Sequence, residues 1–147
     1  MRKIFVYYSL TGNGDAVAER LKEKDYDILK VETKKPLPKR FIFRIISGGF
    51  RARLNLKDEI KDLNVNFDDY DEIIIGSPIW NGRISCPINT VLDKYDFKNK
   101  NISFIFYSGS GESFKASKKV KEMYNDVKII NLKEPLKGVN ELKKLDF

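Results

Sequence analysis

The chain has 147 residues, 41% apolar and 33% charged, which is the composition of a globular protein able to bury its own core; a single domain over 1–147 is expected. It has no histidine, which excludes Ser-His-Asp and Cys-His catalysis, and one cysteine, Cys86, which excludes an internal disulfide and suits a reducing, cytoplasmic setting. The net charge of +7 is concentrated in residues 33–57, where Lys34, Lys35, Lys39, Arg40, Arg44, Arg51, Arg53 and Lys57 occur without one acid.

In chain order, residues 3–8 read as a buried strand, 14–23 as an amphipathic helix and 27–32 as a second strand. From 34 to 56 the pattern is irregular. Pro36 and Pro38 break it, residues 40–46 form a basic, apolar helical stretch, and Gly48 and Gly49 mark a turn. Residues 57–63 predict a short polar helix. Ile73, Ile74 and Ile75 make a third, fully buried strand, followed by a helix over 87–95 with Pro87 in its first turn. A strand over 102–107, a helix over 114–124, a fifth strand over 127–132 and a closing helix over 140–145 complete the pattern. No apolar run approaches the ~20 residues of a membrane span, and the charged start leading into a strand predicts no secretory signal. Strands alternating with helices predict an α/β, three-layer, doubly wound parallel sheet, whose ligands bind beyond the carboxyl ends of the strands.

Three of those strands end in loops rich in Gly, Ser, Thr or Asn: 9–14, 76–82 and 108–112. The first, Ser9, Leu10, Thr11, Gly12, Asn13 and Gly14, joins a strand to a helix. Its glycines allow close backbone approach, its hydroxyls donate, and the free N–H groups of the helix start face an anion: a phosphate site. The second holds the only tryptophan, Trp80, between Pro78, Ile79, Asn81 and Gly82. A tryptophan in such a loop offers a flat face to a planar ligand; folding onto the core is the usual alternative for an isolated tryptophan, but the place of Trp80 at the end of a central strand, across the site from the phosphate loop, favours the ligand. A planar aromatic molecule with a phosphate tail satisfies both loops.

With these residues the chain resembles the flavodoxins. Residues 9–14 resemble their FMN-phosphate loop, residues 76–82 their first flavin-ring loop, and Ser108, Gly109, Ser110, Gly111 and Glu112 stand where the second ring loop falls. The resemblance covers essentially the whole chain. It implies a five-stranded parallel sheet in the order 2-1-3-4-5, with FMN at its switch point. Residues 9–14 would hold the phosphate, Trp80 would stack on or flank the isoalloxazine beside Pro78, Ile79, Asn81 and Gly82, and residues 108–112 would close the other side. Asn81 and Gly82 would be the turn whose backbone tunes the potentials, because glycine tolerates positive φ. The chain departs from the family in two ways: Gly14 replaces the usual hydroxyl residue, implying weaker FMN retention, and the basic segment 33–57 contrasts with the family's acidic character.

The implied function is electron carriage between redox partners through bound FMN. Two alternatives stand beside it: an NAD(P)H-dependent FMN or quinone reductase, and a flavin-free module that binds a protein partner. For segment 33–57 the choices are a solvated loop, a dock for an acidic redox partner, the 2′-phosphate of NADPH, or weak contact with an anionic membrane surface. No nucleic-acid motif accompanies the charge. A dinucleotide pattern starting at Gly12 lacks its last glycine, a Walker loop fails at Asp15, and a phospho-receiver lacks acids at Tyr7, Tyr8, Gly76 and Ser77. Cys86 reads as a small buried or half-buried residue at a helix start, with a redox role as the lesser alternative because a helix N-terminus lowers a thiol pKa, while Asp15 and Glu112 suit capping or solvent-facing positions better than acid catalysis.

Overall fold

The computed structural model describes residues 1–35, 40 and 57–147. Strands β1 (Lys3–Tyr7), β2 (Asp27–Lys30), β3 (Glu72–Trp80), β5 (Ile102–Ser108) and β6 (Lys128–Lys133) run parallel in the order β2-β1-β3-β5-β6, and the two-residue β4 (Arg83–Ile84) pairs with β3. Numbered among the parallel strands alone, this is the expected 2-1-3-4-5 order. In register, Tyr7 stands opposite Gly76 and Ser77 opposite Phe106.

The strands are apolar on both faces because both are covered, as parallel crossovers require. Ile4, Val6, Ile73, Ile75, Phe104 and Phe106 pack toward helices α2 (Cys86–Lys94) and α3 (Phe114–Met123) through Ile88, Val91, Ala116 and Val120. Phe5, Tyr7, Ile74, Ile105 and Tyr107 pack on the opposite side against Val17, Ala18 and Leu21 of α1 (Asn13–Lys22) and against Leu145, just beyond the short α4 (Val139–Leu142). Each buried Val or Leu of this kind stabilises the fold by about 1.5–3 kcal/mol. Gly76 serves the same layer: a Cβ there would stand 2.5 Å from the Phe5 ring, which lies stacked on Tyr7.

Two segments differ from expectation. The third strand continues through Trp80 into a hairpin, turned by Asn81 (φ 52) and Gly82 (φ 76). Positive φ at both turn residues matches the right-handed twist of a two-residue hairpin, which the Asn-Gly pair encodes. At its root, Ser77 Oγ accepts the Ser85 N–H at 3.1 Å, with the two hydroxyls 2.9 Å apart. Residues 57–63 are not a helix. Ile60 bridges Thr33 in antiparallel fashion, with Lys34 N–H on the Glu59 carbonyl and Lys61 N–H on the Glu32 carbonyl. Ile60 and Leu63 are both buried, and backbone pairing to 32–34 takes the segment in place of the expected polar helix. The bridge brings the two ends of the basic segment together; of the helix expected over 40–46 all but residue 40, and the turn expected at Gly48 and Gly49, lie outside the described residues. Among the described residues, no helix is long and apolar enough to cross a membrane.

Candidate functional site

The three Gly- and hydroxyl-rich loops follow β1, β3 and β5, which are neighbours in the sheet, so they meet at its carboxyl edge. In the first loop Gly12 adopts the left-handed conformation (φ 96) as N-cap of α1, and Ser9 Oγ accepts the Gly14 N–H at 3.1 Å. Among the described residues, no acceptor takes the N–H groups of Thr11, Gly12 or Asn13. The loop thus presents unspent backbone donors at the positive end of a helix, which is what an anion requires.

Asp15, in the first turn of α1, would oppose an anion if its charge stood alone. It does not: Lys30 Nζ lies 2.7 Å from its carboxylate, and the Tyr7 hydroxyl donates to it at 2.8 Å. Burial raises its pKa, but the hydrogen bonds from Lys30 and Tyr7 outweigh burial and hold the carboxyl below its ordinary value. The same pairing, after burial, pushes the Tyr7 phenol well up.

Two contacts here escaped the sequence. Tyr107, buried and with its phenol pushed up chiefly by burial, donates its hydroxyl to the Tyr8 carbonyl at the start of the loop. That hydroxyl also lies 2.5 Å from where a Cβ on Gly14 would be. The second contact comes from the chain after β6. Leu136 N–H donates to Asn13 Oδ1 at 3.1 Å, and a Leu136 methyl lies 3.1 Å from where a Gly12 Cβ would stand. Only the three-dimensional return of β5 and β6 brings these residues to the loop. No local motif announces them.

In the second loop Pro78 and Ile79 are half-buried and Asn81 is exposed. Trp80 is 4% exposed, its ring edge-on to Tyr8 at 5.9 Å between centroids. The tryptophan sits in a strand, not in an open loop, and its faces are packed in the core. The Gly82 carbonyl accepts the Ala116 N–H at 2.9 Å, which fastens the turn to the start of α3. In the third loop Ser108 Oγ accepts the Gly111 N–H at 2.9 Å, Ser110 Oγ accepts the Glu112 N–H at 3.2 Å, and Gly111 has φ 76. Gly109, Ser110 and Glu112 are exposed. Cys86 is fully buried in the first turn of α2.

This arrangement has relatives. The flavodoxin family profile matches residues 2–142. The chain belongs to the flavodoxin family. A candidate flavoprotein from Bacteroides eggerthii superposes on this flavodoxin-family chain with a TM-score of 0.74 at 21% identity, covering 99% of this chain and 96% of its own. A flavoprotein from Lactobacillus acidophilus, solved in complex with FMN, gives 0.70 at 24% identity, covering 88% and 89%. A flavodoxin from the domain Archaea gives 0.53 at 17% identity, covering 98% and 90%. No curated protein matches the chain.

Proposed function

We propose that this flavodoxin-family protein binds FMN at the carboxyl edge of its sheet and carries electrons between redox partners. The observation that carries the reading is the loop of residues 9–14, where unspent N–H groups, a left-handed Gly12 and the α1 N-terminus converge. The residues fit a phosphate there: Asp15 is neutralised by Lys30, and the left-handed Gly12 leads into α1 with the Thr11, Gly12 and Asn13 N–H groups unspent. Ser9, Leu10, Thr11, Gly12, Asn13 and Gly14 would hold the phosphate. Pro78, Ile79, Asn81 and Gly82 would border the ring on one side, and Ser108, Gly109, Ser110, Gly111 and Glu112 on the other. Trp80 would support the hairpin from within, and would have to leave Tyr8 to stack on a flavin. Bound FMN would supply one- or two-electron chemistry; the protein would hold it and keep one edge open to partners. Acidic redox partners docking on the basic segment 33–57 would complement its charge.

Visible absorbance of the purified protein, before and after FMN addition and desalting, tests the site. Retained flavin bands support it, and a colourless protein that takes up no FMN overturns it in favour of the flavin-free module. Stopped-flow mixing of the loaded protein with NADH and NADPH then separates carrier from reductase. Rapid direct bleaching by either nucleotide would assign the protein to the NAD(P)H-dependent reductases.

A further inference from the structure

On the α2–α3 side of the sheet, a cleft of about 370 Å³ opens between the β3–β4 hairpin and α3, lined by Arg83, Ile84, Lys115, Ala116, Lys118, Lys119 and Glu122. Four of these side chains are cationic and one is acidic, and none belongs to the segment 33–57. Several described cations outside the cleft are ion-paired, among them Arg2 with Asp27, Arg20 with Glu23 and Asp146, Lys30 with Asp15 and Lys61 with Glu32. Lys115, Lys118 and Lys119 have no carboxylate within 4.0 Å among the described residues, and they stand together on one cleft.

Lys119 is the fixed point of the cluster. Its ammonium donates at 2.8 Å to Oδ1 of Asn89, a side chain 3% exposed whose own amide donates to the Ile84 carbonyl at 3.4 Å. A lysine committed to a buried amide loses rotamer entropy and part of its hydration with no opposite charge in return. Burial first, then the charges of Lys57 and Arg83, push its pKa down, while Asp93 only partly opposes them. Asp93 is itself engaged by Lys57 at 2.8 Å. Arg83 from β4 and Lys118 and Lys119 from α3 line the same cleft, so an anion there would meet donors from two elements.

We propose that this cleft is a second anion site, which takes a phosphate-bearing small molecule with its phosphate between Arg83, Lys118 and Lys119. Phosphate fits better than carboxylate on charge and geometry. A phosphate ester or diphosphate supplies two or more negative charges and several acceptor oxygens, more than a single carboxylate offers to guanidinium and ammonium donors. The volume lies within the range of small-molecule sites. The cleft also adjoins the hairpin turn: the Lys115 side chain packs 3.6 Å from where a Gly82 Cβ would stand, and Ala116 N–H holds the Gly82 carbonyl. The site is separate from the loop of residues 9–14 and does not depend on flavin binding there.

Amide-resolved NMR titration of the full chain with inorganic pyrophosphate tests the proposal, because it reads the two sites apart. Saturable shifts at Ile84, Ala116, Lys119 and the Asn89 side-chain amide are expected, whatever the amides of Thr11, Gly12 and Asn13 do. Lys119→Gln should weaken those shifts roughly tenfold in affinity. Glu122→Gln, which removes the one acid in the lining, should tighten binding, a gain that a damaged fold would not produce. Parallel titrations with NADP⁺ and NAD⁺ identify the source. Stronger binding of NADP⁺ than of NAD⁺ and pyrophosphate assigns the phosphate to a 2′-phosphorylated nucleotide, and equal binding of pyrophosphate assigns it to a free oligophosphate. Shifts at the cleft that never saturate, or that survive unchanged in both Lys119→Gln and Arg83→Gln, would overturn the proposal.

Discussion

The Tyr107 hydroxyl lies 2.5 Å from the point where a Cβ on Gly14 would stand, and the Tyr7 ring and Ser9 Cβ lie 2.8 and 2.9 Å from the same point. The glycine that departs from the family pattern is therefore a packing requirement of this chain. A phenol from β5 fills the space that a hydroxyl side chain on α1 would use, and it spends its proton on the Tyr8 carbonyl. The loop is anchored by Tyr107 at the position where the resemblance leads one to expect a hydroxyl side chain.

Gly14→Ser follows directly. Restoring the family's hydroxyl overpacks the junction of β1, β5 and α1, so the variant should lose about 1–3 kcal/mol of stability. It should not hold FMN more tightly than the parent. Thermal denaturation paired with an FMN titration checks both, and tighter FMN binding at an unchanged Tm would show that the site tolerates the side chain.

Much of the frame was legible because parallel strands covered on both faces must be apolar throughout. Runs such as Ile73, Ile74, Ile75 and Phe104, Ile105, Phe106 announce themselves. The loops were legible for a local reason too, since Gly and Ser sit at the strand ends where the chain turns. What the sequence hid is tertiary. The buried Trp80 depends on Tyr8, just past the end of β1, Gly14 depends on Tyr107, and Asn13 depends on Leu136. Residues 57–63 were misread because seven residues with two apolar positions do not separate a helix from an extended segment paired to 32–34.

Asp15 gives the loop a pH dependence. Burial alone would raise its carboxyl, but Lys30 and Tyr7 hold it down. A carboxyl depressed on folding stabilises the native state above its unfolded pKa of about 4. That contribution is lost as pH falls through this value toward the lower folded one. Asp15→Asn should therefore be less stable than the parent near neutrality and converge on it in acid. Urea midpoints for both proteins at pH ~7, ~4 and ~2.5 would follow the convergence. A constant difference across the series would mean that the ion pair is not linked to folding.

Gly82→Ala places a side chain at φ 76, while the space itself is open, the nearest atom being Lys115 Cδ at 3.6 Å. Strain rather than collision sets its effect, so a loss of about 1 kcal/mol is expected. If the turn borders a bound flavin as proposed, the same change alters the backbone beside the ring and should move the one-electron potentials. Potentiometry on the FMN-loaded variant checks this. Two unchanged potentials would remove Asn81 and Gly82 from the redox-tuning role.

Trp80 separates the two ways in which a tryptophan can serve this site. Its ring is 4% exposed and meets Tyr8 edge-on, so the structure uses it to brace the hairpin against β1. A bracing ring is missed by the fold, whereas a stacking ring is missed by the ligand. Trp80→Leu should therefore cost roughly 2–4 kcal/mol of stability through the space it leaves. FMN affinity, measured below the variant's unfolding transition, should stay within about threefold of the parent, a difference under 1 kcal/mol. The opposite result, intact stability with FMN affinity down more than about tenfold, would mean that the ring turns out from Tyr8 when the ligand arrives. The hairpin root at Ser77 and Ser85 would then be the hinge to examine, because it is the fixed end of the only segment that would need to move.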